Sequence, residues 1–190
     1  GWAERRDTRL EPVGWQSPGF NDSAWKAPTT GVSSLPEPTP ANLAPVRTFS
    51  RPLTPSAEGP LARTFGYADD EPAYAFFCRD RYCRDLPAEG RWYLYDLGRV
   101  RLGRPAITLD LPAGAVVEMA YAEALTEGRV APFIPLSCGP SCNLDRFIAR
   151  GGKQTFTPLV PKGGRFLEVH VLEKTAAPSM TEANYLERCY

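Results

Sequence analysis

Three segments between Trp92 and Leu172 alternate apolar and polar residues with a period of two. Successive side chains of a β-strand point to opposite faces of the sheet, so this alternation predicts strands that each bury one face. Gly-containing turns separate the segments, among them Pro112–Gly114, which is predicted as a hairpin loop, and Thr126–Gly128. The alternating apolar residues are Ile107, Leu109 and Leu111, then Val117, Met119 and Tyr121, and finally Leu167, Val169 and Val171.

This pattern predicts an all-β fold class. Strands of this length and spacing are typical of an antiparallel β-sandwich, jelly-roll-like and loop-rich, with little helix. The 16 Gly and 20 Pro residues suit such a fold better than a helical one. At most one helical turn is predicted, at residues 183–187. A helical catalytic barrel would need many long amphipathic helices, so we do not expect one in this chain.

The 190 residues are predicted to divide into three parts. Residues 1–45 form an N-terminal segment, interpreted as the end of a preceding sandwich, and a proline-rich strap. The strap is predicted because repeated proline without periodicity favours extended backbone. Residues 46–175 form the β-sandwich domain. Residues 176–190 form a C-terminal tail.

Charge and hydropathy exclude two classes of partner. The chain carries 22 Lys and Arg residues against 22 Asp and Glu residues. This balance favours neither nucleic acid nor an anionic membrane surface as a partner. No apolar run reaches membrane-spanning length. The basic stretch at Arg99–Arg104 is interpreted as a charged sheet edge that resists pairing with another strand.

Several short motifs, in a fixed order, resemble one family. Their order is similar to that of the β-sandwich domain that precedes the catalytic domain in bacterial α-L-rhamnosidases. The upstream segment from Gly14 to Trp25 is similar to the F-D-D-S-x-W segment of accessory sandwiches in many glycosidases. The motifs are Tyr95-Asp96-Leu97-Gly98, Pro112-x-Gly114, Tyr121-Ala122-Glu123-x-Leu125-x-x-Gly128, Asp145-x-Phe147 and Gly164-Arg165-Phe166-Leu167-Glu168-Val169.

The resemblance implies a non-catalytic module of an α-L-rhamnosidase-like glycoside hydrolase. Such a module supports a catalytic domain, in the same or a partner chain, or binds rhamnose-containing carbohydrate. The acid and base of the family belong to a downstream helical barrel, so no catalytic residue is assigned to this chain. Two alternatives stay open: a complete small β-sandwich hydrolase or lyase acting on polysaccharide, and a structural spacer without a ligand.

The residues themselves favour structural roles for the candidate catalytic groups. Glycoside hydrolysis usually needs two carboxylates that face each other across the bond. Asp96, Glu123, Glu127 and Asp145 are available, but their spacing predicts no convergent pair. The single histidine, His170, alternates with apolar neighbours and is therefore predicted to lie on the solvent face of its strand.

A carbohydrate site, if present, is predicted at Asn143 and Asp145, with Trp92 as the stacking surface. Amide and carboxylate groups bond sugar hydroxyls, and an aromatic plane suits the apolar face of a sugar ring. The alternative is that Asp145 holds a strand end through backbone N–H groups while Trp92 belongs to the core. Trp15 and the aromatic residues after it are interpreted as packing groups rather than sugar platforms.

A calcium site is considered at Asp69, Asp70 and Glu71, because Ca²⁺ prefers hard oxygen ligands. A solvated turn is the favoured alternative, since calcium takes six to eight oxygens and only three carboxylates lie close in sequence. No other cofactor follows from the sequence.

Four of the five cysteines form two close pairs, which predicts the disulfides Cys78–Cys83 and Cys138–Cys142 with Cys189 left over. Local disulfides indicate an oxidising compartment, so a secreted or periplasmic protein is expected. Reduced thiols and a four-cysteine zinc site are the alternatives, although the spacing differs from the usual zinc pattern.

Overall fold

The computed structural model describes residues 4–31, 45–61, 89–136, 139–173 and 179–189. In these ranges the regular structure is almost entirely β, with one 3-10 turn, η1 (Thr8–Leu10). None of the described helical residues forms a helix long and apolar enough to span a membrane. The strands are β1 (Arg5–Asp7), β2 (Arg47–Pro52), β3 (Ala57–Leu61), β4 (Gly90–Leu111), β5 (Val116–Ala122), β6 (Phe133–Leu136), β7 (Gly139–Cys142), β8 (Leu144–Ile148), β9 (Gly152–Phe156), β10 (Lys162–Leu172) and β11 (Ser179–Cys189).

Strand β4 connects the whole sheet. The hydrogen-bonded order is β1-β8-β5-β10-β4-β11-β2, and β3 and β9 also pair with β4. The first part of β4 pairs with β10 and β3, whereas its last part pairs with β11 and β9. The pairs in this sheet are antiparallel except for β1 with β8, which is parallel. Strands β6 and β7 form a separate two-stranded sheet.

One apolar core joins the two parts of β4. Tyr93 and Tyr95 from its first part and Ile107 and Leu109 from its last part belong to the same buried cluster. Two segments of one sheet can share a core only if they face each other, which is the arrangement of a sandwich. We call the side of β5, β8 and β10 that faces this core the inner face. The predicted all-β sandwich is confirmed.

The predicted hairpin at Pro112–Gly114 is wrong. Strands β4 and β5 flank this turn but do not pair, because β10 lies between them in the sheet order. The Gly114 N–H donates to the Ala149 carbonyl at 2.8 Å, and Gly114 has a φ of 90°, which suits a residue without a Cβ. The turn therefore carries the chain from one layer of the sandwich to the other.

The predicted helical turn at residues 183–187 is also wrong. These residues belong to β11, which pairs with β4 on one side and with β2 on the other. Tyr185 is fully buried, and its hydroxyl donates to the Lys162 carbonyl at 3.1 Å. Pairing on both edges stabilises the extended backbone here more than local helix propensity does. Strand β11 lies in the stretch predicted as a tail, and β1 lies in the predicted N-terminal segment.

The alternation in β10 is correct in phase, but both of its faces are buried. Val169 lies in the core on the inner face, as predicted. Glu168 and His170 point to the opposite face, which we call the outer face, and each is 0% exposed. The prediction that His170 lies on a solvent face is therefore wrong. Alternation identifies which residues share a face, whereas only packing decides whether that face meets water.

We expect substitutions on the two faces of β10 to destabilise the protein by comparable amounts. Val169→Ala should cost about 1–3 kcal/mol through lost burial and a cavity. Glu168→Ala should cost about 2–4 kcal/mol, because it leaves the Arg129 guanidinium and the Val130 N–H without their acceptor. Denaturant unfolding checks both values, with the exposed Glu123→Ala as a control expected within about 0.5 kcal/mol. A Glu168→Ala effect as small as the control would contradict the buried role.

Candidate functional sites

Asp145 lies inside the fold. It is 0% exposed on the inner face of β8, and its carboxylate forms an ion pair with Lys162. The same carboxylate accepts the Glu4 backbone N–H at 2.9 Å and the Tyr121 hydroxyl at 3.0 Å. Burial and the nearby Asp145 charge raise the pKa of Tyr121 well above its ordinary value, so this hydroxyl stays a donor. The geometry supports the structural alternative for Asp145.

Asn143 bonds the backbone rather than that carboxylate, and Trp92 lies on the other face of the sheet. Asn143 is half-buried, and its side-chain amide donates to the Tyr121 carbonyl at 3.3 Å, at the end of β5. Trp92 is partly buried on the outer face, where it packs against the clusters around Leu94 and Leu172. Asp145 and Trp92 thus occupy opposite faces of the sheet. The structure does not bring the three predicted sugar-binding residues together.

The predicted calcium ligands Asp69, Asp70 and Glu71 lie outside the described residues. So do Cys78, Cys83, Cys138 and the side chain of Cys142, and both disulfides stay predictions. Within the described ranges, no group of three His, Cys, Asp or Glu side chains is placed to hold a metal ion. Cys189 is a free, partly buried thiol.

A cluster of charged side chains, most of them buried, lies on the outer face. We call it the outer-face charge cluster: Glu118, Arg129, Arg146, Glu168 and His170. Arg146 Nε donates to Glu118 Oε1 at 2.7 Å, and these two residues are 0–1% exposed. Arg129 Nε donates to Glu168 Oε1 at 3.0 Å. His170 lies between the carboxylates, with Nε2 at 2.8 Å from Glu168 and Nδ1 at 3.5 Å from Glu118.

The cations of this cluster keep both carboxylates ionised. Burial alone would raise the pKa of Glu118, but Arg146 and His170 more than offset it and hold the pKa below its ordinary value. Burial acts on Glu168 in the same way and is offset by His170 and Arg129. A buried general acid would need a raised pKa instead. The lowered pKa values of these carboxylates therefore favour a structural role for the cluster.

Trp92 completes the cluster at its edge. The Arg129 guanidinium lies 4.1 Å from the centre of the Trp92 ring, a favourable cation–π distance. On the neighbouring strand, Gly59 pairs directly with Trp92, and a Cβ at Gly59 would lie 2.8 Å from the indole nitrogen. The tight turn before Arg129 has positive φ at both Glu127 and Gly128, which confirms the predicted turn. Arg129 follows this turn directly and lies on the outer face.

A second site is a cavity of about 470 Å³ between the N-terminal loop and the sheet. Phe147 and Phe156, whose ring centres lie 5.9 Å apart, are core residues that reach its wall. It is lined by Arg6, Thr8, Glu11, Gly14, Trp15, Gln16, Ser17, Arg104, Phe147, Arg150, Gln154, Thr155, Phe156, Thr157, Pro158 and Leu159. This volume falls within the range of about 300–1,000 Å³ typical of small-molecule sites.

The N-terminal loop is fixed at this cavity by polar contacts. Arg6 forms a two-pronged ion pair with Glu11, and its NH2 group donates at 3.0 Å. Arg6 and, to a smaller extent, the Trp15 indole N–H lower the pKa of Glu11 by hydrogen bonding. Gln154 Oε1 accepts the Thr8 hydroxyl at 2.9 Å. Trp15 keeps 38% of its surface exposed.

Sequence reasoning missed this cavity. Arg104 belongs to a basic stretch that was interpreted as a sheet edge, and Trp15 was interpreted as packing. The parallel register of β1 with β8 places Arg6 beside Phe147, 141 positions later in the chain. The available signal was Trp15, which lies between Gly14 and the polar residues Gln16 and Ser17. Nothing in the sequence places Trp15 beside Arg104.

Known proteins resemble this chain in sequence and fold. Residues 88–187 match the bacterial alpha-L-rhamnosidase concanavalin-like domain. An alpha-L-rhamnosidase of Alteromonas sp. (strain LOR) is 26% identical over 183 residues, which cover 92% of this chain and 16% of that protein. The chain therefore spans much less than two thirds of this relative's length.

Two solved structures share the fold. The alpha-L-rhamnosidase of Aspergillus terreus matches with a TM-score of 0.57 and 20% identity over 97% of this chain and 18% of that one. That of Streptomyces avermitilis, solved in complex with L-rhamnose, matches with a TM-score of 0.56 and 23% identity over 96% of this chain and 15% of that one. The matched family domain covers more than half of the sequence. The resemblance seen in the motifs is thereby confirmed, and the chain belongs to the family of bacterial α-L-rhamnosidase concanavalin-like domains.

Proposed function

We propose that this chain is a non-catalytic module of an α-L-rhamnosidase-like glycoside hydrolase, which supports a catalytic domain or binds rhamnose-containing carbohydrate. The observation that carries the proposal is the family match over residues 88–187, in a chain that spans 16% of a curated rhamnosidase. Most of that relative lies outside the matched region. A catalytic domain is therefore proposed in the same or a partner chain.

The chemistry of three buried carboxylates supports a non-catalytic role. A glycosidase needs one carboxylate as acid and another as base or nucleophile, with the glycosidic bond between them. Asp145 is paired with Lys162, Glu118 with Arg146, and Glu168 with Arg129. Each carboxylate is therefore already neutralised by an internal cation and faces a packed interior.

The binding version of the proposal has separate support. The rhamnosidase of Streptomyces avermitilis, which shares this fold, was solved with L-rhamnose bound. In the present chain, the cavity at the N-terminal loop offers an aromatic ring, amides and guanidinium groups around about 470 Å³ of space. These are the groups by which proteins hold sugars.

An activity assay tests the non-catalytic assignment. The purified chain is incubated with an aryl α-L-rhamnoside and with rhamnose-containing polysaccharide, and product release is measured. We expect no turnover above the buffer rate. Clear turnover that survives repurification and disappears on unfolding would contradict the assignment and favour a complete small hydrolase or lyase.

Calorimetry distinguishes carbohydrate binding by this chain from support of a catalytic domain. Heat on titration with rhamnose-containing glycans, in the presence and absence of Ca²⁺, would support the binding version. Without such heat, only the supporting role stays open. That role predicts a higher melting temperature for the separately expressed catalytic domain when this chain is added.

We further propose that the protein is exported to an oxidising compartment. The close cysteine pairs Cys78–Cys83 and Cys138–Cys142 support this proposal. Peptide mapping without reduction should recover both local bridges. Four free thiols in the protein isolated from its own compartment would contradict it.

A further inference from the structure

We propose that the cavity at the N-terminal loop binds an anionic saccharide, with Arg104 and Arg150 holding its carboxylate or sulfate and Trp15 lying against the sugar ring. This inference rests on the carbohydrate-binding version of the proposed function and deepens it by naming the ligand class. It concerns a different set of residues from the predicted site at Asn143, Asp145 and Trp92.

The lining of the cavity is positively charged. Arg6, Arg104 and Arg150 line the cavity together with one carboxylate, Glu11. Arg6 and Glu11 neutralise each other in a two-pronged ion pair. The guanidinium groups of Arg104 and Arg150 have no ion pair or hydrogen bond to another described residue. With three arginines and one glutamate, the lining carries a net charge of +2 in a chain whose net charge is zero.

The side-chain chemistry of Arg104 and Arg150 suits an anionic group. A guanidinium presents donors in a planar fork that matches a carboxylate or sulfate with two parallel hydrogen bonds. Arg104 comes from β4, and Arg150 comes from the turn between β8 and β9. The two cations thus reach one cavity from separate elements. An anionic group between them would be bound from two sides.

One part of the cavity wall is aromatic. Trp15 lines the cavity and keeps 38% of its surface exposed. A ring that is open over part of its surface can stack on the apolar face of a sugar.

Hydrogen bonds hold part of the cavity wall in place. Gln154, whose side chain is buried, accepts the Thr8 hydroxyl at 2.9 Å and the Arg150 backbone N–H at 3.4 Å. Its amide nitrogen donates to the Gly151 carbonyl at 3.2 Å. These bonds connect the N-terminal loop, β9 and the turn that carries Arg150. A wall that is already ordered loses little entropy when a ligand binds.

The test uses nuclear magnetic resonance on the full chain. The indole N–H signal of Trp15, assigned through Trp15→Phe, is followed during titration with D-glucuronate, D-glucose 6-sulfate, neutral D-glucose and inorganic sulfate. We expect saturable shifts with the two anionic sugars, and at least tenfold weaker binding of glucose. Inorganic sulfate should also bind more weakly than the anionic sugars, because it has no ring to stack on Trp15.

Matched variants locate the site. Arg104→Gln and Arg150→Gln should each weaken binding of the anionic sugars by about tenfold or more, since each removes a charge-assisted contact. Lys26→Gln removes one positive charge from an exposed residue outside the cavity and should change binding less than twofold. Arg150→Lys keeps the charge but loses the fork, and should recover only part of the affinity. Backbone spectra confirm that each variant is folded.

Each contrary outcome has a defined meaning. Equal binding of sulfate and the anionic sugars would make the cavity a plain anion site and overturn the saccharide assignment. If neither arginine variant weakened uronate binding, the uronate site would lie outside this cavity and the inference would be overturned. Binding of L-rhamnose glycans without any binding of the charged sugars would overturn this inference while leaving the proposed function intact. If no probe bound, the inference would be overturned. The supporting role is tested separately, by the melting temperature of the catalytic domain with this chain added.

Discussion

Replacing Arg146 with Met is expected to lower the free energy of unfolding by about 3–5 kcal/mol. Arg146 is 1% exposed, and its guanidinium is the main cation beside the fully buried Glu118. Without it, the Glu118 carboxylate must stay charged in an apolar interior or take up a proton, and both cost free energy. Denaturant unfolding at neutral pH measures the effect.

A double variant shows whether the loss comes from the stranded charge. Glu118→Leu combined with Arg146→Met removes both charges, and we expect it to recover more than half of the stability lost in Arg146→Met. Arg165→Met is the matched control, because Arg165 pairs with Asp96 at the surface and should cost less than about 1 kcal/mol. If the double variant were as unstable as the single one, packing rather than the unpaired carboxylate would explain the loss.

The same cluster makes stability depend on pH. Burial acts to raise the pKa of Glu118, but Arg146 and His170 hold it below its ordinary value. A depressed pKa in the folded state stabilises the protein above the unfolded value, about 4.3, and this contribution disappears as pH falls through the folded value. Melting temperatures measured from pH 6 to pH 3 should therefore fall more steeply for the wild type than for the double variant.

Replacing Asp145 with Ala is expected to cost a similar amount, about 3–5 kcal/mol. The carboxylate is 0% exposed and pairs with Lys162, which is itself 7% exposed. Its loss leaves a buried ammonium group, the Tyr121 hydroxyl and the Glu4 N–H without their shared acceptor. Thermal and denaturant unfolding measure the cost, with the exposed Asp110→Ala as the control.

The ligand arm of this experiment addresses the predicted sugar site. If Asp145 acts only within the fold, any glycan affinity of the wild type should persist in Asp145→Ala at a temperature where the variant is folded. A large loss of affinity with an unchanged melting temperature would instead support the predicted sugar contact. Lys162→Met should produce the same instability as Asp145→Ala, because it breaks the same buried pair from the other side.

The sequence by itself determined the family and the phase of the alternating strands. Alternation in residues such as Val117 and Val169 is a local property of extended backbone, so it identified the strand phase without any knowledge of their partners. The order of short motifs between Tyr95 and Val169 identified the family for a similar reason, because each motif is a contiguous stretch. The turn at Thr126–Gly128 was equally local, since two positive φ values and a glycine define it.

The tertiary structure alone decided which faces are buried and which side chains meet. Glu168 and His170 are buried together, because Arg129, distant in sequence, pairs with the Glu168 carboxylate and His170 lies between two carboxylates. Asp145 and Trp92 separated because strand register placed them on opposite faces of one sheet. Arg104 and Trp15 came to line one cavity because β1 aligns beside β8 and draws the N-terminal loop over the sheet. Each outcome depends on long-range pairing, which no local pattern in the chain encodes.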